Sequence, residues 1–222
     1  MKYLVVNADD LGFSEGVNHG IVECHVRGIV TSASLMVGRP AAREAALLAR
    51  EQHELAIGLH WDDRGVDLED DRAVRAGFER QLDAFQSLLG RLPTHVDSHH
   101  HAHRANGVLP LFRELVAPLG VPLRGDGPVR YVGGFYAQWE PGVTELRYVG
   151  VDFLQQLLRN EVGDGWTELS CHPGYVAPDE SSYAAERKAE IRTLTDRRVR
   201  QTIDELGIRL ASHREYARSG IR

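Results

Sequence analysis

The stretch Met1-Lys2-Tyr3-Leu4-Val5-Val6-Asn7-Ala8-Asp9-Asp10 is an apolar run that ends in two adjacent carboxylates. A short apolar run bounded by polar residues is typical of a buried strand. Apolar residues with helical spacing follow at about 15–27, and another apolar run begins at 32. Because two parallel strands need a long connection, usually a helix, this order predicts a βα unit of a parallel sheet.

The same alternation of short apolar runs and longer helical patterns continues along the chain. Strands are predicted at 3–7, 32–37, 55–59, 95–98, 121–124, 167–171 and 208–211. Helices are predicted at about 15–27, 40–52, 69–89, 108–118, 145–160 and 183–206. The pattern predicts a single α/β domain over 1–222 with about seven parallel strands, as an open doubly wound sheet or a closed barrel. The stretch 125–142 has no clear period and is predicted to be a long loop over one end of the sheet.

The composition limits the kinds of partner. The 222 residues carry a formal net charge of −6, and 42% of them are hydrophobic and 26% charged, as in ordinary globular proteins. A nucleic-acid partner is disfavoured because phosphate binding needs a dense basic patch. No apolar stretch approaches the roughly 20 residues that span a bilayer, and no secretory leader is recognised, so a cytoplasmic protein with reduced cysteines is expected. The oligomeric state stays open, a homo-oligomer included.

Carboxylates and histidines follow the predicted strands. Asp9 and Asp10 follow the first strand, His60 comes at the end of the run 55–59, His99 follows the fourth strand and His172 follows the sixth. In parallel α/β folds the carboxyl ends of all strands open onto one face, where binding and catalytic groups gather. These side chains are therefore expected to converge, and two histidines with one carboxylate form a ligand set for a divalent ion.

Each of these residues also has an ordinary structural interpretation. The two aspartates could cap the following helix, His60 could be a core histidine bonded to a carbonyl, and His172 could be a turn residue before Pro173. Cys171 fits either a nucleophile or a buried strand cysteine, and the second is the more common. The convergence of the whole set at one edge favours a functional site.

Histidine is concentrated in one segment. Of the eleven histidines, five lie within the nine residues 95–103. Strand alternation would place Asp97, His99 and His101 on one face, so the whole group cannot ligate one ion. Because a ligating histidine usually donates its other N–H to a carboxylate or carbonyl, some members are expected to support the ligands or contact substrate.

The motifs together resemble the YdjC-like carbohydrate deacetylases, a family that includes chitooligosaccharide deacetylases and hopanoid-biosynthesis-associated members. The resemblance covers almost the whole chain in the right order. The stretches that carry it are Val6-Asn7-Ala8-Asp9-Asp10-Leu11-Gly12, Gly28-Ile29-Val30-Thr31-Ser32-Ala33-Ser34, Ile57-Gly58-Leu59-His60, Pro93-Thr94-His95-Val96-Asp97-Ser98-His99-His100-His101-Ala102-His103 and Ser170-Cys171-His172-Pro173.

The resemblance implies an irregular TIM-like β/α barrel that removes the acetyl group from an N-acetylated sugar. Carried over by motif, Asp10, His60 and His99 would bind one divalent ion, Asp9 would be the general base and His172 the acid. A late element, Ser212-His213-Arg214-Glu215, also matches, and its arginine would order the site. The ligand types suit Zn²⁺, whereas the family implies Mg²⁺, so both ions are retained.

The substrate contacts are predicted from loops near the strand ends. The aromatic residues Trp61, Tyr136, Trp139 and Tyr175 could stack on sugar rings, although ordinary packing explains any one of them equally well. His101, His103, Arg124 and Arg214 are further candidates for substrate contact.

Two other functions stay open. A phosphoesterase would need phosphate-binding cations near the strand ends, for which Arg64, Arg104 and Arg124 are the candidates. A non-catalytic carbohydrate- or metal-binding protein would keep the ligands but could dispense with Asp9 and His172. The presence of both residues favours catalysis.

Overall fold

A computed structural model describes residues 1–105, 107–140, 142–177 and 179–219. Strands and helices alternate along most of the chain. The elements are β1 (Lys2–Leu11), α1 (Glu15–Arg27), β2 (Ser32–Leu35), α2 (Ala42–Glu51), β3 (Ala56–Trp61), α3 (Asp71–Leu89), β4 (Val96–Ser98), α4 (Val108–Val116), β5 (Arg130–Val132), α5 (Val151–Glu161), β6 (Gly165–Cys171), α6 (Ala184–Leu194), α7 (Arg197–Glu205), β7 (Ile208–Leu210) and α8 (His213–Arg218). In the part of the chain described, no helix has the length and apolar character needed to cross a membrane.

Over the described ranges, seven parallel strands form one curled sheet. Its order is β4-β3-β2-β1-β6-β5, and β7 pairs with the first residues of β1. The guanidinium of Arg124 contacts carboxylates on β1, on the edge strand β4 and on β6. Since one side chain reaches strands that are far apart in the sheet order, the sheet must curl around it. The predicted α/β, TIM-like irregular barrel is confirmed in this open, half-closed form.

The two faces of β1 show how the curled sheet is packed. Leu4, Val6 and Ala8 belong to the large apolar core. The alternating residues Asn7 and Asp9 are also buried, but they bond to polar side chains. Because successive side chains of a strand point to opposite faces, the helices cover an apolar outer face while the concave inner face is polar.

Two of the segment predictions need correction. The stretch 121–124 forms only an isolated parallel bridge, Val96↔Leu123, and is not a full strand. The fifth strand is instead Arg130–Val132, inside the predicted loop 125–142. It is short and not strongly apolar, so it has little of the hydrophobic signal from which strands are predicted.

The last third of the chain also differs from the prediction. The helix expected at 183–206 is divided into α6 and α7, and the side chain of Asp196 caps α7 by accepting the backbone N–H of Arg198. Helix α8 was not predicted. It begins with a capping box in which the side chains of Ser212 and Glu215 each accept a backbone N–H of the other.

Arg124 holds the polar interior together. Its nitrogens contact Oδ2 of Asp9 at 2.6 Å, Oδ2 of Asp97 at 2.7 Å and Oε1 of Glu168 at 2.6 Å. All four residues are buried. Burial alone would raise the pKa of Glu168, but the guanidinium outweighs it and lowers the pKa to about 2.

Replacing Arg124 is therefore expected to destabilise the fold strongly. Arg124→Met should lower the free energy of unfolding by about 3–5 kcal/mol, since it leaves buried carboxylates without their cation. Chemical denaturation measures the change. The matched control is Arg113→Met, because Arg113 pairs with Asp126 on the exposed surface and should matter little. Equal, small losses in both variants would contradict the structural role of the buried network.

Candidate active site

The carboxyl ends of the strands surround a cavity of about 550 Å³. Its walls include both aspartates at the end of β1 and the three histidines that were predicted to join them. The five predicted residues on the cavity wall are Asp9, Asp10, His60, His99 and His172. The structure therefore brings together side chains that are more than 160 positions apart in sequence, as the strand-end argument predicted.

Asp10, His60 and His99 form a compact group of ligating atoms. Oδ1 of Asp10 lies 3.4 Å from Nε2 of His60 and 3.2 Å from Nδ1 of His99. In the described part of the chain this buried oxygen has no hydrogen-bond partner. Ligands that share one ion at about 2.0–2.2 Å stand about this far apart. The geometry and the donor types therefore fit one divalent cation.

Asp97 orients one of these histidines. It lies opposite His60 in the register of β3 and β4, and its Oδ1 accepts Nδ1–H of His60 at 2.7 Å. This bond leaves Nε2 facing Asp10. Burial opposes protonation of His60, but Asp97, Asp10 and Asp9 outweigh it and raise the pKa of the ring to about 10. The surroundings therefore favour positive charge at this point, which a bound cation would also provide.

The backbone is strained where the site is built. Asp10, His100 and His101 have positive φ values of 68°, 50° and 56°. Non-glycine residues seldom adopt this conformation, although Asp and His do so more than most, and such residues cluster at functional sites. In a regular strand the side chains of Asp9 and Asp10 would point to opposite faces. The positive φ at Asp10 breaks this alternation, so Asp9 contacts Arg124 in the interior while Asp10 contacts His60 and His99.

Asp9 is held as a buried carboxylate beside the metal-ligand group. Nη1 and Nη2 of Arg124 donate to its two oxygens at 2.6 and 2.7 Å, and Nδ2 of Asn7 donates to Oδ1 at 2.8 Å. Although burial would raise its pKa, Arg124 keeps the pKa of Asp9 well below the ordinary value. The carboxylate is thus ionised, and Oδ2 lies 3.8 Å from Nε2 of His172.

The imidazole of His172 lies against an aromatic wall. Tyr136 and Tyr183 stack on each other with ring centres 4.9 Å apart, and both pack edge-on to His172 at 5.9 and 5.7 Å. Burial lowers the pKa of His172 to about 4. The ring is therefore neutral at neutral pH and presents Nε2 toward Asp9.

Three of the predicted substrate contacts line the cavity. They are His101, Tyr136 and Trp139. Trp139 packs edge-on to Tyr136 at 5.6 Å and is 58% exposed, so part of its ring is available to a ligand. Nε2 of His101 lies 3.1 Å from the hydroxyl of Tyr131, which in turn lies 2.8 Å from the hydroxyl of Ser170.

Trp61 and His103 are buried and do not line the cavity. Trp61 is the last residue of strand β3 and does not lie in a loop. Its ring is fully buried against Phe112. The ring of His103 lies between the hydroxyl of Ser98 at 2.6 Å and the carbonyl of Arg124 at 3.0 Å. Both side chains support the scaffold, and the prediction that they contact substrate does not agree with these positions.

The other three predicted contacts also lie elsewhere. Arg124 is inside the barrel, where its charge is matched by carboxylates. Arg214 donates to the carbonyls of His53 and Leu55, next to the amino end of β3 and therefore at the opposite end of the sheet from the site. Tyr175 bonds to Glu23 and lies outside the main cavity. The expectation that Arg214 orders the site is therefore not supported by its position.

Cys171 does not serve as a nucleophile in this arrangement. Its side chain is fully buried, and its thiol donates to the carbonyl of Asn7. Burial raises the pKa of this thiol well above the ordinary value. Of the two interpretations left open by the sequence, the buried strand cysteine is the one that fits.

Helix α6 supplies site residues that the sequence interpretation missed. Nη2 of Arg187 donates to Oδ2 of Asp10 at 2.6 Å, and Glu190 accepts the backbone N–H of His172. Charged residues on a helix ordinarily face solvent, so their burial could not be inferred from their type. The only sequence signal is weak: Glu186, Arg187 and Glu190 lie close together on a helix whose packed face would otherwise be apolar.

The fold and the site define a class of protein. The fold is a parallel β/α half-barrel. At the carboxyl edge of its sheet, two histidines and one carboxylate are grouped beside a buried aspartate and a third histidine. The chain belongs to the YdjC-like protein family, whose model matches residues 3–62 and 64–205.

Proteins similar in sequence include two with named activities. A carbohydrate deacetylase of Geobacillus stearothermophilus is 35% identical, and the alignment covers 97% of this chain and 98% of that protein. A chitooligosaccharide deacetylase of Serratia marcescens is 30% identical, with coverage of 96% and 99%.

Solved structures show the same architecture. A protein of Enterococcus faecalis V583, whose suggested role is cellobiose-phosphate cleavage, has a TM-score of 0.83 at 26% identity and covers 97% of this chain and 98% of its own. A family 4 carbohydrate esterase of Streptomyces lividans has a TM-score of 0.60 with coverage of 95% and 92%. Its 14% identity limits that likeness to the fold.

Proposed function

We propose that this protein is a metal-dependent hydrolase that removes the acetyl group from an N-acetylated sugar or oligosaccharide. The observation that carries the proposal is the grouping of Asp10, His60 and His99 on the same cavity wall as Asp9 and His172. The sequence relatives named as carbohydrate deacetylases support the choice of substrate class.

Asp10, His60 and His99 would hold the ion. When bound, a divalent ion lowers the pKa of water and neutralises the charge that develops on the acetyl oxygen. Two imidazole nitrogens and one carboxylate suit Zn²⁺, while Mg²⁺ ordinarily prefers oxygen ligands. The Mg²⁺ implied by the family resemblance is kept as the second candidate.

Asp9 is assigned as the general base. A base must be unprotonated, and Arg124 keeps this carboxylate ionised. Asp9 takes a proton from water as the water oxygen bonds to the acetyl carbon. Its fixed position, with both oxygens held by Arg124, would orient the carboxylate before substrate arrives.

His172 is assigned as the group that protonates the leaving nitrogen. Its ring is neutral at rest, so the proton that it donates must come from the water that Asp9 deprotonates, and Oδ2 of Asp9 lies 3.8 Å from Nε2 of His172. The imidazolium then donates that proton to the amide nitrogen as the carbon–nitrogen bond breaks. The products are acetate and the free amino sugar, and Asp9 and His172 return to their starting states.

The outer cavity would bind the sugar. Tyr136 and the exposed part of Trp139 provide aromatic surface for the apolar face of a sugar ring. The hydroxyls of Tyr131 and Ser170, together with His101, provide hydrogen-bonding groups close by. Aromatic surface beside fixed polar groups suits a sugar, which has an apolar ring face and hydroxyl groups around its edge.

Among the residues that the structure describes, none of the phosphoesterase candidates offers a free cation at the site. Of the three candidate residues, Arg64 pairs with Asp62, Arg124 is buried among carboxylates, and Arg104 does not line the cavity. Arg187 does line the cavity, but its guanidinium is bonded to Asp10. The candidate catalytic pair Asp9 and His172 likewise favours an enzyme over a binding protein without activity.

The test is release of acetate from a panel of N-acetylated mono- and oligosaccharides. We expect the purified protein to release acetate from at least one of them, chelation to abolish this activity, and added Zn²⁺ or Mg²⁺ to restore it. Comparison of the two ions shows which of them supports the reaction better in this site. Full activity in a sample shown by elemental analysis to be free of metal would refute the proposed mechanism, and no acetate from any member of the panel would refute the substrate class.

A further inference from the structure

One face of helix α6 lies against the candidate catalytic residues. Tyr183, at the start of the helix, is followed at spacings of four and seven residues by Arg187 and Glu190. This spacing places all three on one side of a helix. All three are buried, although two of them have ionisable side chains. Burying a charge is costly unless it is paired, so the contacts of these residues indicate why they are there.

Glu190 joins the backbone of His172 to the aromatic wall. One of its oxygens accepts the backbone N–H of His172, and the other accepts the hydroxyl of Tyr183 at 2.9 Å. The hydroxyl oxygen of Tyr183 also accepts the backbone N–H of Ala137 at 3.0 Å. A single carboxylate thus connects the end of β6, helix α6 and the segment that carries Tyr136 and Trp139.

Arg187 bonds to the other backbone polar group of His172. Its Nη1 donates to the carbonyl of His172 at 3.3 Å, and its Nη2 donates to Asp10 at 2.6 Å. The N–H and the C=O of His172 are therefore both bonded to side chains of α6. By contrast, Nδ1 of the His172 ring is buried and has no partner among the described residues.

We propose that Glu190 is a positioning residue that sets the place of His172 for proton transfer to the leaving group. The inference rests on the proposed function, because His172 is the acid only in that reaction. The direction of its ring is determined by its backbone and by the two tyrosines, and Glu190 bonds to that backbone and to one of those tyrosines. Since a misplacement of about 1 Å can cost on the order of 10²-fold in rate, loss of this contact should reduce turnover.

Glu190→Gln is the test variant because glutamine has the same size but accepts hydrogen bonds on one atom only. It cannot accept both the N–H of His172 and the hydroxyl of Tyr183. Burial raises the pKa of Glu190 to about 8, so activity is compared at about pH 8.5, where Glu190 is a carboxylate that can accept on both oxygens. There we expect kcat on the N-acetylated substrate to fall by about 10- to 10²-fold, while KM and bound metal stay close to those of the wild type.

The thermal stability of Glu190→Gln shows whether a loss of activity comes from misplacement of His172 or from a weakened fold. Burial raises the pKa of Glu190 to about 8, with Asp9 nearby, and this outweighs the opposing effects of the His172 N–H, Tyr183 and Arg187. A carboxyl group whose pKa is higher in the folded protein than in the unfolded chain stabilises the fold at a pH below the unfolded-state pKa. That stabilisation is lost as the pH rises through the folded-state pKa. Glutamine has no such dependence. At about pH 8.5 Glu190→Gln should therefore be at least as stable as the wild type while it is less active.

Two further variants complete the comparison. Thr193→Val is the control on the same helix, since the hydroxyl of Thr193 donates to the carbonyl of Val149 and does not reach the site. It should keep kcat. In a His172→Ala background, Glu190→Gln should cause little additional loss, because residues that act as one unit are not additive. An undiminished kcat in Glu190→Gln, or a full additional loss in the His172→Ala background, would overturn the proposal.

A measurement without substrate keeps this inference separate from the proposed function. In an NMR spectrum of histidine-labelled protein, the ring signal of His172 is identified by its absence in His172→Ala. We expect Glu190→Gln to shift that signal and Thr193→Val to leave it in place. If the wild type releases no acetate but the signal shifts, the proposed function fails and the positioning contact stands. An unshifted signal in Glu190→Gln would overturn the positioning contact itself.

Discussion

Asp10→Asn is expected to lose the bound divalent ion, whereas Asp9→Asn is expected to retain the ion and lose about 10²- to 10⁴-fold in turnover. The two neighbouring carboxylates have different surroundings. Oδ1 of Asp10 faces His60 and His99, while both oxygens of Asp9 are bonded to Arg124. An amide oxygen at position 10 lacks the charge that holds the cation, and an amide at position 9 cannot accept a proton from water.

The measurement is metal content after dialysis, alongside turnover, for both variants. Asp62→Asn is a matched control, because Asp62 is also buried but pairs with Arg39 and Arg64 away from the cavity. It should change neither quantity. If Asp9→Asn loses the ion and Asp10→Asn retains it, the two assignments must be exchanged. If both variants retain ion and activity, the pair only turns the chain and the proposed site is wrong.

The strand-end argument predicted the centre of the site because it depends on chain topology alone. Asp10, His60 and His99 each follow or end an apolar run, and parallel strands bring such positions together whatever the details of packing. The same argument placed Asp9 and His172 on the cavity wall. Most of the strands and helices were predicted for a similar reason, since a buried strand and an amphipathic helix each have a hydrophobic period that is visible locally.

Contacts made across the fold were not predictable in this way. The apolar run that predicts the third strand stops at 59, which puts Trp61 in a loop, whereas β3 extends through Trp61; predicted strand ends are uncertain by about two to four residues. Arg124 and Arg187 look like surface residues in sequence, and only the curled sheet and helix α6 reveal the carboxylates that they pair with. Strand β5 lacks an apolar run, because one of its three residues is an exposed arginine and another is the cavity residue Tyr131.

The structure also gives the terminal element Ser212-His213-Arg214-Glu215 a different role from the one expected. Arg214 bonds to backbone carbonyls beside β3, but its neighbour His213 enters the barrel, where its ring stacks on His95 with centres 3.9 Å apart. Nε2 of His213 lies 3.6 Å from Glu168, which bonds to Arg124. The element therefore supports the floor of the same polar interior that holds Asp9, and its connection to the site is indirect.

His172→Ala is expected to lose about 10²- to 10⁴-fold in turnover on an N-acetylated sugar while retaining the bound ion. The imidazole lies beside Asp9 and against the two tyrosines, and it is outside the group of ligating atoms formed by Asp10, His60 and His99. Its assigned task is to protonate the leaving nitrogen, because a nitrogen anion is a very poor leaving group. An aryl acetate ester has a leaving group that departs as a stable anion, so its hydrolysis should suffer much less in the same variant.

The deciding quantity is the loss of kcat/KM on the N-acetylated sugar divided by the loss on the aryl ester. It is measured as kcat/KM of His172→Ala and of the wild type on both substrates, with metal content checked for each sample. His19→Ala provides the matched control, since His19 lies on the exposed side of α1 and should affect neither substrate. Equal losses on amide and ester would mean that His172 holds the site together without donating a proton. Loss of the ion would instead place it among the ligands. A large loss confined to the amide is the result that the geometry predicts, because only that substrate needs the proton that Nε2 of His172 is placed to give.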